Sequence, residues 1–292
     1  MRNIVARTIV FFVGIAVIAA MILFVSFQNH LLINLVAVVV SALGARELSE
    51  LFARKETGYQ ASVVVIPLLG ALLPAVQLAI LNGLASDAAL QIAIYVAISL
   101  VLVAQVFRKK EEEFGHTLSN TAANVTVLLY PGFFLTYFIR ISEFEHATGL
   151  IMLFLAIAFA NDTLAYVAGS LFKLVKVYEK GARWRPRVSL PVSPNKTLVG
   201  FLFGWLGSVG AAAIASAFFA RYIPLEFWPT VLIGATVGVA VILGDLIESA
   251  LKRSATSKDS GDLIPGRGGI LDSIDSVLYA APVFYYLLSY LL

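Results

Sequence analysis

Lysine, arginine, aspartate and glycine crowd into one stretch of a chain that is otherwise close to continuous hydrocarbon. From Lys252 to Ser276 it reads KRSATSKDSGDLIPGRGGILDSIDS, with Asp245, Glu248 and Ser249 on its approach. Asp245, Glu248, Ser249 and Lys252 fall at i, i+3, i+4 and i+7, so a helix through them projects all four from one face. Gly261, Pro265, Gly266, Gly268 and Gly269 then break regular structure, and a loop so built lets backbone N–H groups come close to an anion. Asp272 and Asp275, three apart, restart the chain on one side of a new helix. Two carboxylates so placed suit an oxygen-ligated Mg²⁺, while Lys252, Arg253, Lys258 and Arg267 suit phosphate oxygens. A solvated loop explains such charges singly. Both signs, the glycines and a carboxylate pair together point to a phosphorylated ligand with a divalent metal.

The elements that must position these groups are membrane helices. Of the 292 residues, 60% are apolar and 13% charged, which no soluble domain of this size could bury. The chain has no cysteine, so disulfides and thiolate metal sites are excluded. Its three histidines, His30, His116 and His146, have no partner at ligand spacing, which argues against an imidazole zinc site or a Ser-His-Asp triad. Nothing points to nucleic acid. The expected fold is an all-α polytopic integral membrane protein of about nine transmembrane helices, with no soluble domain and no internal repeat. The expected spans are Thr8 to Phe27, Leu31 to Leu51, Ala61 to Leu81, Ala88 to Phe107, Asn120 to Phe138, Ala147 to Phe172, Thr197 to Ala220, Trp228 to Leu251 and Val277 to Leu292. Pro131-Gly132 should kink or interrupt the fifth.

With the N-terminus in the cytoplasm, nine spans place all 21 basic residues except Arg140 and Arg221 inside. Both long polar loops, 173–196 and 252–276, then share the cytoplasmic face. The expected division is residues 1–146, about five N-terminal spans, and 147–292, a catalytic region carrying both loops.

A second constellation, Asn161-Asp162-Thr163, lies inside the sixth apolar run. A carboxylate there costs about 2.5 to 3.5 kcal/mol on insertion scales, so a compensating contact or a wet cavity is expected. The plain alternative is packing, with Asn161 and Thr163 hydrogen-bonding across spans.

The order Ser249, Lys252-Arg253, Lys258-Asp259, Gly261, Pro265-Gly266, Gly268-Gly269, Asp272 and Asp275 resembles the C-terminal motif of the phosphatidate cytidylyltransferases, the CDP-diacylglycerol synthases. Arg267 stands where that family usually has His, and Ser273 where it has Arg. Asp162-Thr163-Leu164-Ala165-Tyr166 with Gly169 resembles the family's middle motif. Ser193-Pro194-Asn195-Lys196-Thr197 resembles its Ser-Pro-Lys-Lys-Thr, with Asn195 in place of the second Lys and Val199 in place of a Glu. The resemblance runs from Asp162 to Asp275.

What the resemblance implies is transfer of CMP from CTP to phosphatidic acid, with pyrophosphate leaving, in an integral protein of a bacterial inner membrane whose site faces the cytoplasm. Two polyanions must meet, so cations have to offset their repulsion and Mg²⁺ has to hold the triphosphate. On this reading Asp272 and Asp275 bind Mg²⁺, with Asp245 as a further ligand. Lys252, Arg253 and Lys258 hold phosphates, and Ser249 donates a hydrogen bond. Ser193, Lys196 and Thr197 approach from the other loop, Asp162 lines the cavity, and Gly266, Arg267, Gly268 and Gly269 allow close approach to substrate. A second, monovalent cation and a homodimer are both compatible with it. Two other readings remain at this stage: a CTP-dependent kinase of polyprenol or phytol type, and a transporter using Asp162, Asp245 and Glu248 as a cation path.

Overall fold

Long apolar runs become helices in a membrane because a chain without water around it must satisfy its own backbone. The structure, a computed structural model, describes residues 13–14, 16–25, 27–55, 65–107, 111–174, 190–194, 196–264 and 268–292. Its helices are α1 (Phe27–Lys55), α2 (Val65–Leu81), α3 (Ala88–Val106), α4 (Thr117–Val127), α5 (Phe134–Arg140), α6 (Ala147–Leu174), α7 (Leu198–Phe219), α8 (Phe227–Ser254) and α9 (Leu271–Leu291). Seven helical stretches among the described residues are long and apolar enough to cross a membrane, and the 17-residue α2 is shorter. This is an all-α polytopic membrane protein.

The fifth expected span is wound differently rather than broken. Pro131 lies in a π-helical turn, Leu128–Phe133, that joins α4 to α5, and the apolar stretch Phe114–Glu143 continues through it. The last two spans are longer than expected. α8 runs to Ser254 and α9 begins at Leu271, so the polar connection shrinks from 252–276 to residues 255–270. Leu271, Ile274 and Leu278 continue one apolar face at helical spacing, with Leu271 and Leu278 fully buried, which extends α9 toward its polar end. Most of the other expected loop, 173–196, lies outside the described residues, as do Gly266, Arg267 and Asn195.

Two compact units divide the chain: Met1–Thr148 with Leu251–Ile274, and Gly149–Ala250 with Asp275–Leu292. In the first, Pro74 has no N–H to offer the Gly70 carbonyl four residues back. Ser41 of α1 supplies the donor, its Oγ lying 2.7 Å from that carbonyl oxygen and 2.7 Å from that of Pro131. Gly70 permits the approach, since a Cβ there would stand 2.2 Å from that of Ala45.

In the second unit, glycines seat α7 on α6. A Cβ at Gly204 would meet Asn161 Oδ1 at 2.8 Å, and one at Gly207 the Ala160 carbonyl at 2.7 Å. Asn161 uses that proximity, donating from Nδ2 to Ser208 Oγ at 2.8 Å and to the Gly238 carbonyl at 3.1 Å. Phe154 and Phe284, both fully buried, pack with ring centroids 5.0 Å apart.

Candidate active site

In the first unit the 255–270 connection is shaped at both ends. α8 stops because Thr256 turns left-handed, φ 53°. The Thr256 N–H donates to the Arg253 carbonyl at 3.0 Å and the Ser257 N–H to the Lys252 carbonyl at 2.9 Å, the paired bonds of a Schellman cap. Farther on, Ile264 and Gly268 exchange backbone bonds of 2.7 and 3.1 Å shortly before α9. Gly268 holds φ 113°, a conformation open to glycine.

The first amides of a helix have no partner within it. Here the four successive amides from Gly269 to Asp272, around the start of α9, are satisfied by side chains, and the Ser273 N–H by the Ile270 carbonyl at 2.9 Å. Gly269 N–H donates to Asp272 Oδ2 at 2.8 Å, Ile270 N–H to Glu47 Oε1 at 2.8 Å, Leu271 N–H to Glu47 Oε2 at 2.9 Å, and Asp272 N–H to Ser260 Oγ at 3.3 Å. Three of these backbone donors thus face two carboxylates of the chain itself, and the fourth a serine hydroxyl. Asp272 Oδ2 also receives the Ser260 N–H at 2.8 Å, and its Oδ1 receives Lys252 Nζ at 2.5 Å. The Lys252–Asp272 pair is largely buried, its side chains 13% and 7% exposed. Arg253 is exposed and donates to the Ser257 carbonyl at 3.1 Å, and Lys258 is exposed.

Glu47 and Ser260 escaped the sequence reading. Both are buried, and Glu47 sits in an apolar span far from any motif. The second apolar run carries two carboxylates, Glu47 and Glu50, beside Arg46 at its charged end, so the isolation that singled out Asp162 did not single out Glu47.

The second unit holds the remaining described candidates. Thr197 begins α7: its backbone is extended and its Oγ1 accepts the Gly200 N–H at 3.0 Å. Just before it, the Lys196 N–H bonds the Ser193 carbonyl at 3.1 Å, and Lys196 Nζ donates to Asp245 Oδ2. This pair is more open, with side chains 24% and 35% exposed. Asp245 follows Gly244, where α8 touches α9: a Cβ on Gly244 would stand 2.6 Å from the Asp275 carbonyl oxygen. Asp275 Oδ1 accepts the Ser276 N–H at 2.6 Å and the Ser276 hydroxyl at 3.1 Å. That same hydroxyl lies 3.5 Å from Asp162 Oδ1. Glu248 and Ser249 are buried within α8.

The donor set for an ion is oxygen throughout, as Mg²⁺ prefers. Among the described residues no three of His, Cys, Asp and Glu group closely enough to cage a metal. Mg²⁺ fits such a site because it uses one or two protein carboxylates and completes its octahedron with water and substrate phosphates. The two Lys–Asp pairs add the complementary function: cations that can bind phosphate oxygens, each beside a carboxylate.

The fold and the site define the class: an all-α polytopic membrane protein that carries lysine–aspartate pairs on its apolar helices. The chain belongs to the cytidylyltransferase family, whose model matches residues 5–291. It is 39% identical over 150 residues to a phosphatidate cytidylyltransferase of Synechocystis, covering 50% of this chain and 45% of that protein. Over 141 residues it is 36% identical to the uncharacterized protein YnbB of Escherichia coli, covering 48% of this chain and 43% of that protein. With a phosphatidate cytidylyltransferase of Bacillus subtilis it shares 34% identity over 203 residues, 68% of each chain. The matched stretches thus span less than half the length of the first two relatives and about two thirds of the third.

Proposed function

We propose that this protein transfers CMP from CTP to phosphatidic acid, forming CDP-diacylglycerol and pyrophosphate for phospholipid synthesis. The observation that carries the reading is the presence, in one cytidylyltransferase-family chain, of two lysine–aspartate pairs on apolar helices, Lys252–Asp272 in the first unit and Lys196–Asp245 in the second. The relatives named as phosphatidate cytidylyltransferases support the substrates. The site faces the cytoplasm of a bacterial inner membrane, where the basic loops and soluble CTP both belong.

A phosphate oxygen of phosphatidic acid attacks the α-phosphorus of CTP, the bond from that phosphorus to the β-bridging oxygen breaks, and pyrophosphate carries away the electron pair. The nucleophile is already an anion, so no strong base is needed, consistent with the lack of any histidine in the motifs. Repulsion between two polyanions is the main obstacle, and Lys252, Lys196, Arg253 and Lys258 are the groups that offset it. Asp272 and Asp275, one helical turn apart on α9, and Asp245 would hold Mg²⁺, which when bound neutralises the triphosphate and the leaving pyrophosphate. Ser193, Ser249 and Asp162 supply polar contacts around the substrates. Thr197 fixes the start of α7, so that Lys196 immediately before it keeps its direction.

The test is incubation of purified protein with phosphatidic acid, Mg²⁺ and CTP labelled in turn on the α- and γ-phosphates. Label from the α-position in the lipid, with pyrophosphate released, is the expected result. Label from the γ-position in the lipid, with CDP released, would make it a lipid kinase instead.

A further inference from the structure

We propose that Glu47 is the positioning residue for Asp272, so that a carboxylate from α1 sets the orientation of the reactive end of α9. The inference rests on the reading of Asp272 as part of the metal and phosphate site. Glu47 is 6% exposed, and burying a carboxylate costs several kcal/mol unless hydrogen bonds replace its water. Its replacements are the Ile270 and Leu271 amides and the Ser260 hydroxyl, at 2.8 to 2.9 Å. They lie at the positive end of α9, where an anion is favoured.

Two observations separate this from ordinary helix capping. The Ser260 hydroxyl lies 2.9 Å from Glu47 Oε2 and 2.9 Å from Asp272 Oδ2, so one hydroxyl sits between the two carboxylates and its single hydrogen is shared by them or passes from one to the other. The connecting chain is also built around the Glu47 head group. A Cβ at Gly261 would stand 2.9 Å from Oε1, and one at Gly269 would stand 2.2 Å from Oε2. Local residues could have capped α9 as Asp272 itself does. A buried charge on a helix more than 200 residues away in sequence adds what a local cap cannot: it anchors both ends of the 260–272 segment to one point. Asp272 Oδ2 is left with a single orientation and Oδ1 is directed at Lys252.

The test uses Glu47→Gln in the full-length protein in detergent, which keeps the side-chain length but replaces one acceptor with an amide that faces N–H donors. Two quantities are read: hydrogen exchange at the 268–272 amides, and the Mg²⁺ concentration for half-maximal CMP transfer together with KM for phosphatidic acid. Exchange should rise about tenfold, the effect of one lost net hydrogen bond. The Mg²⁺ requirement should rise about 10- to 100-fold, as for loss of a group that orients a metal ligand, with KM for phosphatidic acid unchanged. Glu50→Gln, at a half-exposed residue paired with Arg46, should leave both quantities unchanged. A folded Glu47→Gln protein with wild-type exchange overturns the proposal, and so does raised exchange with an unaltered Mg²⁺ requirement, which would make Glu47 a cap and nothing more. If Glu47→Gln does not fold, Ser260→Ala removes only the linking hydroxyl. It should shift both quantities the same way, and no shift overturns the proposal. If the wild-type protein transfers no CMP, the functional reading fails, and the exchange measurement alone decides whether Glu47 orders this segment.

Discussion

The Lys252–Asp272 and Lys196–Asp245 pairs have the same chemistry in different settings. In the first unit Asp272 is held by two backbone amides and a serine hydroxyl besides its lysine, and the pair is nearly closed to solvent. In the second unit a lysine just before α7 meets an aspartate within α8, and the two are about a quarter and a third exposed. A carboxylate fixed by main-chain donors has its direction set before any ligand arrives, whereas an open pair can exchange partners at little cost. We read the first as the rigid side of the chemistry and the second as the adaptable side. Substitutions should therefore separate stability from turnover in one unit and couple them in the other.

The largest effect is expected from Asp272→Asn. The change removes the charge opposite the buried Lys252 and leaves an amide nitrogen facing N–H or N–H₃⁺ donors. Breaking a buried pair by removing one partner costs about 3–5 kcal/mol. CMP transfer should be lost and the thermal midpoint in detergent should fall markedly. A variant that loses turnover at an unchanged midpoint would show that the network around Asp272 does not support the fold, and the contrast between the units would disappear.

Lys196→Ala should behave in the opposite way. Exposed pairs contribute about 0–1 kcal/mol, so the midpoint should barely move. If Lys196 bears on the charge that develops in the transition state, kcat should drop by about 10²- to 10³-fold, the range for loss of one such group. Wild-type kcat in this variant would remove Lys196 from the chemistry. A midpoint loss as large as that of Asp272→Asn would make its pair as structural as the first.

How much of this was legible in the sequence follows from the range of each interaction. Helices declare themselves through runs of apolar residues, so the eight expected spans from Leu31 onward fall on α1 to α9, the fifth covering both α4 and α5, with errors at their ends, while the first, Thr8 to Phe27, lies mostly outside the described residues. Hydropathy set the ends of α8 and α9 too short because polar residues there face inward contacts, whereas side-chain spacing already pointed to helix: Lys252 lies in the last turn of α8, and Asp272 in the first turn of α9. Close in sequence, Lys252 and Asp272 could be suspected as partners. Glu47 could not, because its three donors lie more than 200 residues away and each is a backbone amide or a lone serine. Nor could periodicity separate Asn161 from Asp162. They are neighbours, yet Asn161 bonds across the helices to Ser208 and Gly238, as the packing alternative required, while Asp162 faces Ser276.

The smallest expected effect concerns how rigid the first unit's connection is. Thr256 ends α8 in the left-handed region, a position that glycine usually fills, and a β-branched residue there is strained by about 1–2 kcal/mol. Thr256→Gly relieves that strain but gives the unfolded chain more freedom, which opposes it by about 0.5–1 kcal/mol. The net should be a gain in stability below about 1 kcal/mol, since the amide bonds of Thr256 and Ser257 to Arg253 and Lys252 do not involve the side chain. Turnover should stay at the wild-type level, because Lys252 keeps both its carbonyl cap and its bond to Asp272. A fall in turnover at unchanged or raised stability would mean that the threonine's stiffness, and not only the Glu47 and Asp272 bonds, sets the direction of Lys252. The rigid character assigned to the first unit would then begin at the end of α8 rather than at the start of α9.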